Sequence, residues 1–325
     1  MDVEAGKFIY RCEVEVDNSS YLKASQNGQI LYSIADEGVV AFRVLSNGSL
    51  TRLNSANIRG MRGCHLSTSK ADDYIFISGF HDGKITVLNL NKDGAVGQIA
   101  DGVFHKGLGS VAERSFRPHV SCSRLTPDER FLMVADLGID QIKVYRFDHK
   151  DGKITLVDTI RCELESAPKY FMFSSDGRFF YVLYEMKNVI EVYSYKEGER
   201  VPIVEKIQTI SSTGSKPNQL TAACAMHFSP DEKHVFCSNA GDNTVSMYDR
   251  DDETGMLTLR FCLPISGDYP KDIAIFPGGE HLASINHEGS ISFFKIDYEK
   301  GLLVMSDRSI KVNEPNCCEI VKIGD

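Results

Sequence analysis

The sequence predicts an all-β fold, a seven-bladed β-propeller whose seventh blade is incomplete and closed by strands from both ends of the chain. Three observations predict it: a unit recurring every ~50 residues, period-2 apolar alternation inside each unit, and no long amphipathic helical pattern anywhere.

The unit appears six times, over 29–43, 74–90, 130–147, 178–195, 233–249 and 280–296. Each carries two alternating strands rich in β-branched and aromatic residues, such as Ile85-Thr86-Val87-Leu88 and Ile142-Lys143-Val144-Tyr145. Turn chemistry precedes the strands, as in Pro127-Asp128, Ser175-Asp176-Gly177, Pro230-Asp231 and Pro277-Gly278-Gly279. Gly138-Ile139-Asp140 and Gly241-Asp242-Asn243 supply the hairpins within units. A repeat of this length with about four strands is a propeller blade, whereas a helical solenoid would show a 3.6-residue period. A pair of β-sandwiches is the competing architecture. No linker rich in Pro, Gly or Ser divides the chain, so one domain over 1–325 is expected.

The ends extend the pattern. Residues 296–303 align with 1–8, so the chain is expected to begin partway through a unit, with 8–16 as an outermost strand and 318–323 as an innermost one. The two strands between them are missing, so either a two-stranded seventh blade or a start codon assigned too late is expected. An open sheet edge there invites pairing with another chain, and self-association through it is an expectation.

Hydrophobic content of 42% and charged content of 25% are those of a folded globular protein. A net charge of −9 without a basic tract argues against nucleic-acid and anionic-membrane partners, which clustered Lys and Arg would hold. No apolar run is long enough for a membrane span and the N-terminus lacks a secretory pattern, so a cytoplasmic protein is expected. The nine cysteines are odd in number and without Cys-x-x-Cys spacing, which fits reduced thiols and no metal site. Nucleophile-elbow, phosphate-loop and dinucleotide motifs do not occur, and no cofactor is expected.

Candidate site residues come from the starts of the innermost strands, which line one mouth of a propeller channel. A proline recurs there, in Arg117-Pro118-His119, Ala167-Pro168-Lys169, Lys216-Pro217-Asn218, Tyr269-Pro270-Lys271 and Glu314-Pro315-Asn316. Proline pre-shapes a turn, which accounts for its recurrence structurally. Arg117, Lys169, Lys216 and Lys271 beside it would form a basic rim suited to an anionic small molecule. His119 is the leading acid–base candidate, since imidazole titrates near working pH. Arg114 lies just before it, His65 holds the matching position one unit earlier, and Glu185 would be an inward carboxylate. The remaining histidines, including His105, His227, His234 and His281, are expected on loops or outer strands in structural or solvated roles.

At these residues the chain resembles the lactonase propeller family, which includes propeller-type 6-phosphogluconolactonases and fungal carboxymuconate lactonising enzymes. The most specific stretch runs from Arg114 to His119 and on through Leu125-Thr126-Pro127-Asp128 to Asp136-Leu137-Gly138-Ile139-Asp140. Ala167-Pro168, Glu185 and His227-Phe228-Ser229-Pro230-Asp231 support it. The resemblance implies a lactone hydrolase opening a small anionic sugar-acid lactone, typically 6-phosphogluconolactone of the pentose phosphate pathway. It makes His119 or Glu185 the base and Arg114 the oxyanion partner, with Arg117, Asp136, Lys169, Lys271 and His65 in substrate binding and no metal. Three places depart from the family pattern: Pro168-Lys169-Tyr170 lacks a histidine, Ala222-Ala223-Cys224 lacks a carboxylate, and Asn239-Ala240 lacks an arginine. Those losses sustain a second reading, a catalytically degenerate propeller that binds a small ligand or a protein. A muconate-type cyclisation ranks third, because a dicarboxylate would require more arginines.

Overall fold

The computed structural model describes residues 8–110, 116–214, 217–218 and 220–322. Every element in them is a β-strand, and no helix there is long and apolar enough to cross a membrane. Twenty-four strands form six four-stranded sheets, spanning 22–57, 65–104, 120–161, 168–211, 222–264 and 270–311, each an antiparallel meander in chain order. The chain groups into two compact units. One holds Arg11–Lys169, Glu197–Pro202 and the segment from Glu319, and so the first three sheets; the other holds 8–10, Tyr170–Lys196 and Ile203–Cys318.

Local chemistry sets each meander. Between first and second strands, a hydroxyl accepts the N–H of the residue five places on: Ser25 from Ile30, Ser69 from Tyr74, Thr126 from Phe131, Ser174 from Phe179 and Ser229 from His234, at 3.0–3.2 Å. The residue at the turn's apex takes positive φ, as at Gly28, Asp72, Glu129, Gly177, Glu232 and Gly279. Second strands are buried on both faces, as in Phe131–Asp136 and Phe179–Tyr184, while fourth strands such as Ile154–Arg161 alternate with solvent. In all six sheets the fourth strand carries an extra residue against the third, at Leu53, Ala100, Val157, Ile207, Arg260 and Ser306, and in the second and sixth sheets the register shifts a second time.

The cores lie between neighbouring sheets. In the first unit Tyr32 and Ile34 pack with Leu66, Ile75 and Leu88, and Phe76 and Val87 pack with Leu132, Val134 and Tyr145. In the second, Tyr181 and Leu183 meet Met226 and Val235, while Phe236 and Met247 meet Ile273, Leu282 and Phe294. Each such side chain contributes about 1.5–3 kcal/mol by leaving water, which is why alternation in sequence translates into this stacking.

The ends correct the sequence expectation. Neither 8–16 nor 318–322 forms a strand, and residues 1–7 and 323 lie outside the described residues. A strand needs a ladder partner, and among the described residues no strand pairs with either segment. Side chains hold these segments instead. In the second unit Phe8 packs edge-on against Phe276 and Phe293, and the Cys318 N–H bonds Asp272 at 3.0 Å. In the first unit Glu319 accepts from Lys23 at 2.7 Å and from the Ala24 N–H at 3.0 Å.

Candidate active site

The site is best defined around the hairpin that joins the second and third strands of the third sheet, Phe131–Asp136 and Gln141–Phe147. Asp136, expected from sequence to bind substrate, is instead fully buried with both oxygens engaged. One oxygen accepts the His119 N–H at 2.7 Å and the Gly138 N–H at 3.1 Å; the other lies 2.7 Å from His105 Nδ1. The Leu137 N–H returns a bond to the His119 carbonyl at 3.0 Å, so the His119 backbone is clamped from both sides. Losing a buried acceptor of this kind costs about 1–3 kcal/mol for each N–H it strands.

His105, placed by sequence among the structural or solvated histidines, is buried at the end of the second sheet. A carboxylate only accepts, so Nδ1 carries the proton and Nε2, without a hydrogen-bond partner, carries the lone pair. Burial lowers its pKa and the bond to Asp136 only partly opposes this, which keeps the ring neutral. Burial likewise lowers the pKa of Lys143, with the Asp136 charge opposing.

His119 immediately precedes the first strand of the third sheet, Val120–Leu125. Its ring stacks on Phe80 at a centroid distance of 4.4 Å, and Nδ1 sits 2.7 Å from the Phe80 carbonyl. A carbonyl can only accept, so Nδ1–H is the donor and Nε2 the basic nitrogen. Two glycines make room for the loop before it. A Cβ on Gly138 would lie 2.0 Å from the Arg117 carbonyl oxygen and 2.7 Å from His119 Cδ2, and one on Gly83 would meet Pro118 at 2.6 Å. Arg117 itself is exposed, its guanidinium over the Phe116 ring.

The next loop of the same unit is built by the same hairpin. Asp140, φ +51° and buried, accepts the N–H groups of Glu165 and Ala167, each at 2.8 Å. Ser121, the extra residue of a bulge in the first strand, donates to the Pro168 carbonyl at 3.0 Å. Lys169 follows, half-buried, and its charge acts on the Cys64 thiol, which burial pushes up to about 12.

His65 is walled in at 1% exposure between Tyr21, Cys122 and Ser123, and burial drives its pKa well below the ordinary value. That burial closes it to a substrate. Arg114 and Lys216 lie outside the described residues. In the second unit Glu185 is buried after the second strand of the fourth sheet, its carbonyl 3.4 Å from the Ala223 N–H. Lys271, again an extra bulge residue, donates its ammonium to Asn316. Three histidines also change place. His227 is on a first strand, where it pairs with Asp272 at 3.0 Å, and His234 and His281 open second strands.

The structure thus groups His119, Arg117, Asp136 and Lys169 within one unit, and Glu185 and Lys271 within the other. Sequence reasoning missed Asp140, Gly138 and His105 as supports. The first two stand in the Asp136-to-Asp140 stretch already singled out there, whereas nothing marked His105 or Phe80.

Comparison with known proteins agrees with this architecture. A 6-phosphogluconolactonase of Bacillus subtilis is 26% identical over 313 residues, covering 94% of this chain and 88% of its own length. One from Formosa agariphila is also 26% identical, covering 92% and 88%. A solved Bacteroides fragilis protein, whose 6-phosphogluconolactonase assignment is provisional, superposes with a TM-score of 0.85 at 29% identity over 94% of this chain and 88% of that one. The periplasmic gluconolactonase of Pseudomonas aeruginosa, at 22% identity and a TM-score of 0.88 over 96% and 90%, shares the fold. The sequence profile of the lactonase, 7-bladed β-propeller family matches residues 1–320, and the chain belongs to that family.

Proposed function

We propose that the protein is a lactone hydrolase that opens a small anionic sugar-acid lactone with water, 6-phosphogluconolactone being the first substrate to test. Family membership supports the reaction class. The observation that carries the residue assignment is His119, whose Nδ1 is committed to the Phe80 carbonyl so that Nε2 is the base. Nε2 takes a proton from water as its oxygen attacks the acyl carbon; the ring C–O bond then breaks, and the imidazolium returns the proton to the departing ring oxygen. General-base catalysis of this kind is worth about 10²–10⁴-fold. Arg117 and Lys169 are proposed to attract the anionic group of the substrate, with Arg114 assigned to the oxyanion and Lys271 to the substrate's charge. Glu185 is a second candidate base, tested by Glu185→Gln. On this reading the protein is one cytoplasmic domain.

The test follows hydrolysis of 6-phosphogluconolactone by purified protein against the spontaneous rate. Acceleration that disappears in His119→Ala while the fold persists is the expected result. A well-folded wild-type protein giving no acceleration would favour the binding-module reading, to which the buried Cys224 and Ala240 point.

A further inference from the structure

The Pro-Lys junctions share a device that the hydrolase scheme does not use. Ala167 precedes Pro168 and holds φ at +56°, a region uncommon for a residue with a Cβ, and the residue before proline is itself restricted towards extended backbone. Such a conformation persists only where the surroundings over-determine it. Here Asp140 accepts the Ala167 and Glu165 N–H groups at 2.8 Å while Ser121 holds the Pro168 carbonyl at 3.0 Å, so the peptide units before Ala167 and after Pro168 are pinned. The second unit repeats the arrangement independently. Tyr269 precedes Pro270 with φ at +61°, and its N–H bonds the side chain of Asn243 at 2.9 Å. Asp140 and Asn243 are the same hairpin position of their sheets, with φ +51° and +53°, and in each case the proline is followed by a lysine, Lys169 or Lys271.

We infer that Asp140 is a positioning residue for anion recognition: it locks the Ala167-Pro168 turn and thereby aims Lys169 at the charged group of the substrate. Asp140 has no part in the chemical step. It is buried at 2% exposure, and its oxygens serve backbone N–H groups and the Ser166 hydroxyl. The inference rests on the lactone-hydrolase reading for the identity of the substrate, but not for the anion site itself.

The experiment compares wild type, Asp140→Ala, Asp140→Asn, Lys169→Met and the Asp140→Ala/Lys169→Met pair on 6-phosphogluconolactone and on uncharged gluconolactone. Each protein is also titrated with inorganic phosphate by calorimetry. Asp140→Ala is expected to raise KM for the phosphorylated lactone about tenfold and to weaken phosphate by a similar factor. Its kcat should stay within about twofold and KM for the uncharged lactone should not move. Lys169→Met should match it, and the double variant should be no worse than Lys169→Met alone, as for two residues acting through one contact. Asp140→Asn keeps an oxygen for Ala167 but turns an amide nitrogen on the Glu165 N–H, so the same selective rise should shrink to about two- to threefold.

KM rising equally for both lactones, a fall in kcat alone, or independently additive effects would overturn the inference. So would Asp140→Asn indistinguishable from wild type if Asp140→Ala does not fold. If wild type accelerates neither lactone, the hydrolase reading fails separately and phosphate decides. Binding weakened alike by the Asp140 and Lys169 substitutions sustains the positioning role; binding that is absent or unchanged overturns it.

Discussion

The third and fifth sheets present the same hairpin in two chemistries. In the third, Asp136 and Asp140 close it; in the fifth, Asn239 and Asn243 stand in their places. Asn239 is as buried as Asp136, but it spends its amide hydrogens on the Ser212 carbonyl at 2.9 Å and the Thr244 hydroxyl at 3.1 Å. A carboxylate can only accept, so Asp136 gathers donors, among them the backbone N–H of His119. An amide gives and receives, so Asn239 ties its hairpin to an ordinary loop. Equal burial therefore serves two ends: Asp136 gathers the His119 backbone, whereas Asn239 ties its hairpin to the Ser212 carbonyl.

The largest expected effect tests that contrast directly. Asp136→Ala should lower kcat for lactone opening about 10–100-fold, because it strands the His119 and Gly138 N–H groups and releases the His119 backbone. Asn239→Ala, which removes one donor to a Ser212 carbonyl that keeps the Ser246 hydroxyl at 2.6 Å, should cost about 0.5–1.5 kcal/mol for each hydrogen bond lost in chemical denaturation, with kcat unchanged. Equal kinetic damage from both would dissolve the distinction. Gly138→Ala comes next: its methyl group collides with the Arg117 backbone carbonyl, which must move, so kcat should fall about tenfold with a stability loss of about 1–3 kcal/mol. Fluorescence-monitored unfolding alongside steady-state rates separates the two quantities.

The smallest effect is a pH dependence of stability. Burial depresses the pKa of His105 and of His65 in the folded state, whereas unfolded histidine titrates near ~6.5. Between the depressed value and ~6.5 the unfolded chain binds more protons, so stability rises with pH there and is lost as pH falls below ~6.5. His105→Gln should flatten that slope in urea titrations from pH 7 to pH 5; an unchanged slope would mean that His105 is protonated in its bond to Asp136.

What could be read from sequence was what is local. The expected span 74–90 became the strands Tyr74–Gly79 and Lys84–Leu90, and 130–147 became Phe131–Asp136 and Gln141–Phe147, because alternation and turn residues act over a few positions. His119 was legible through its proline. Its supports were less so: His105 reaches Asp136 across 31 residues, and no local pattern announces a contact of that span. Asp136 was assigned to substrate because a carboxylate in the stretch that resembles the family reads the same whether it meets solvent or backbone N–H groups. The terminal segments were read as strands from their alignment with the repeat, but no described strand lies in a ladder with them.

The bulge repeated in all six fourth strands bears on how this protein behaves when concentrated. A fourth strand has a row of peptide groups facing away from its own sheet, and an uninterrupted row would template growth by a neighbouring molecule. An extra residue at Leu53, Ala100, Val157, Ile207, Arg260 or Ser306 breaks that row near its middle and twists the strand away from a flat approach. A chain that repeats one sheet six times also repeats any aggregation hazard six times, and here the safeguard is copied along with the sheet.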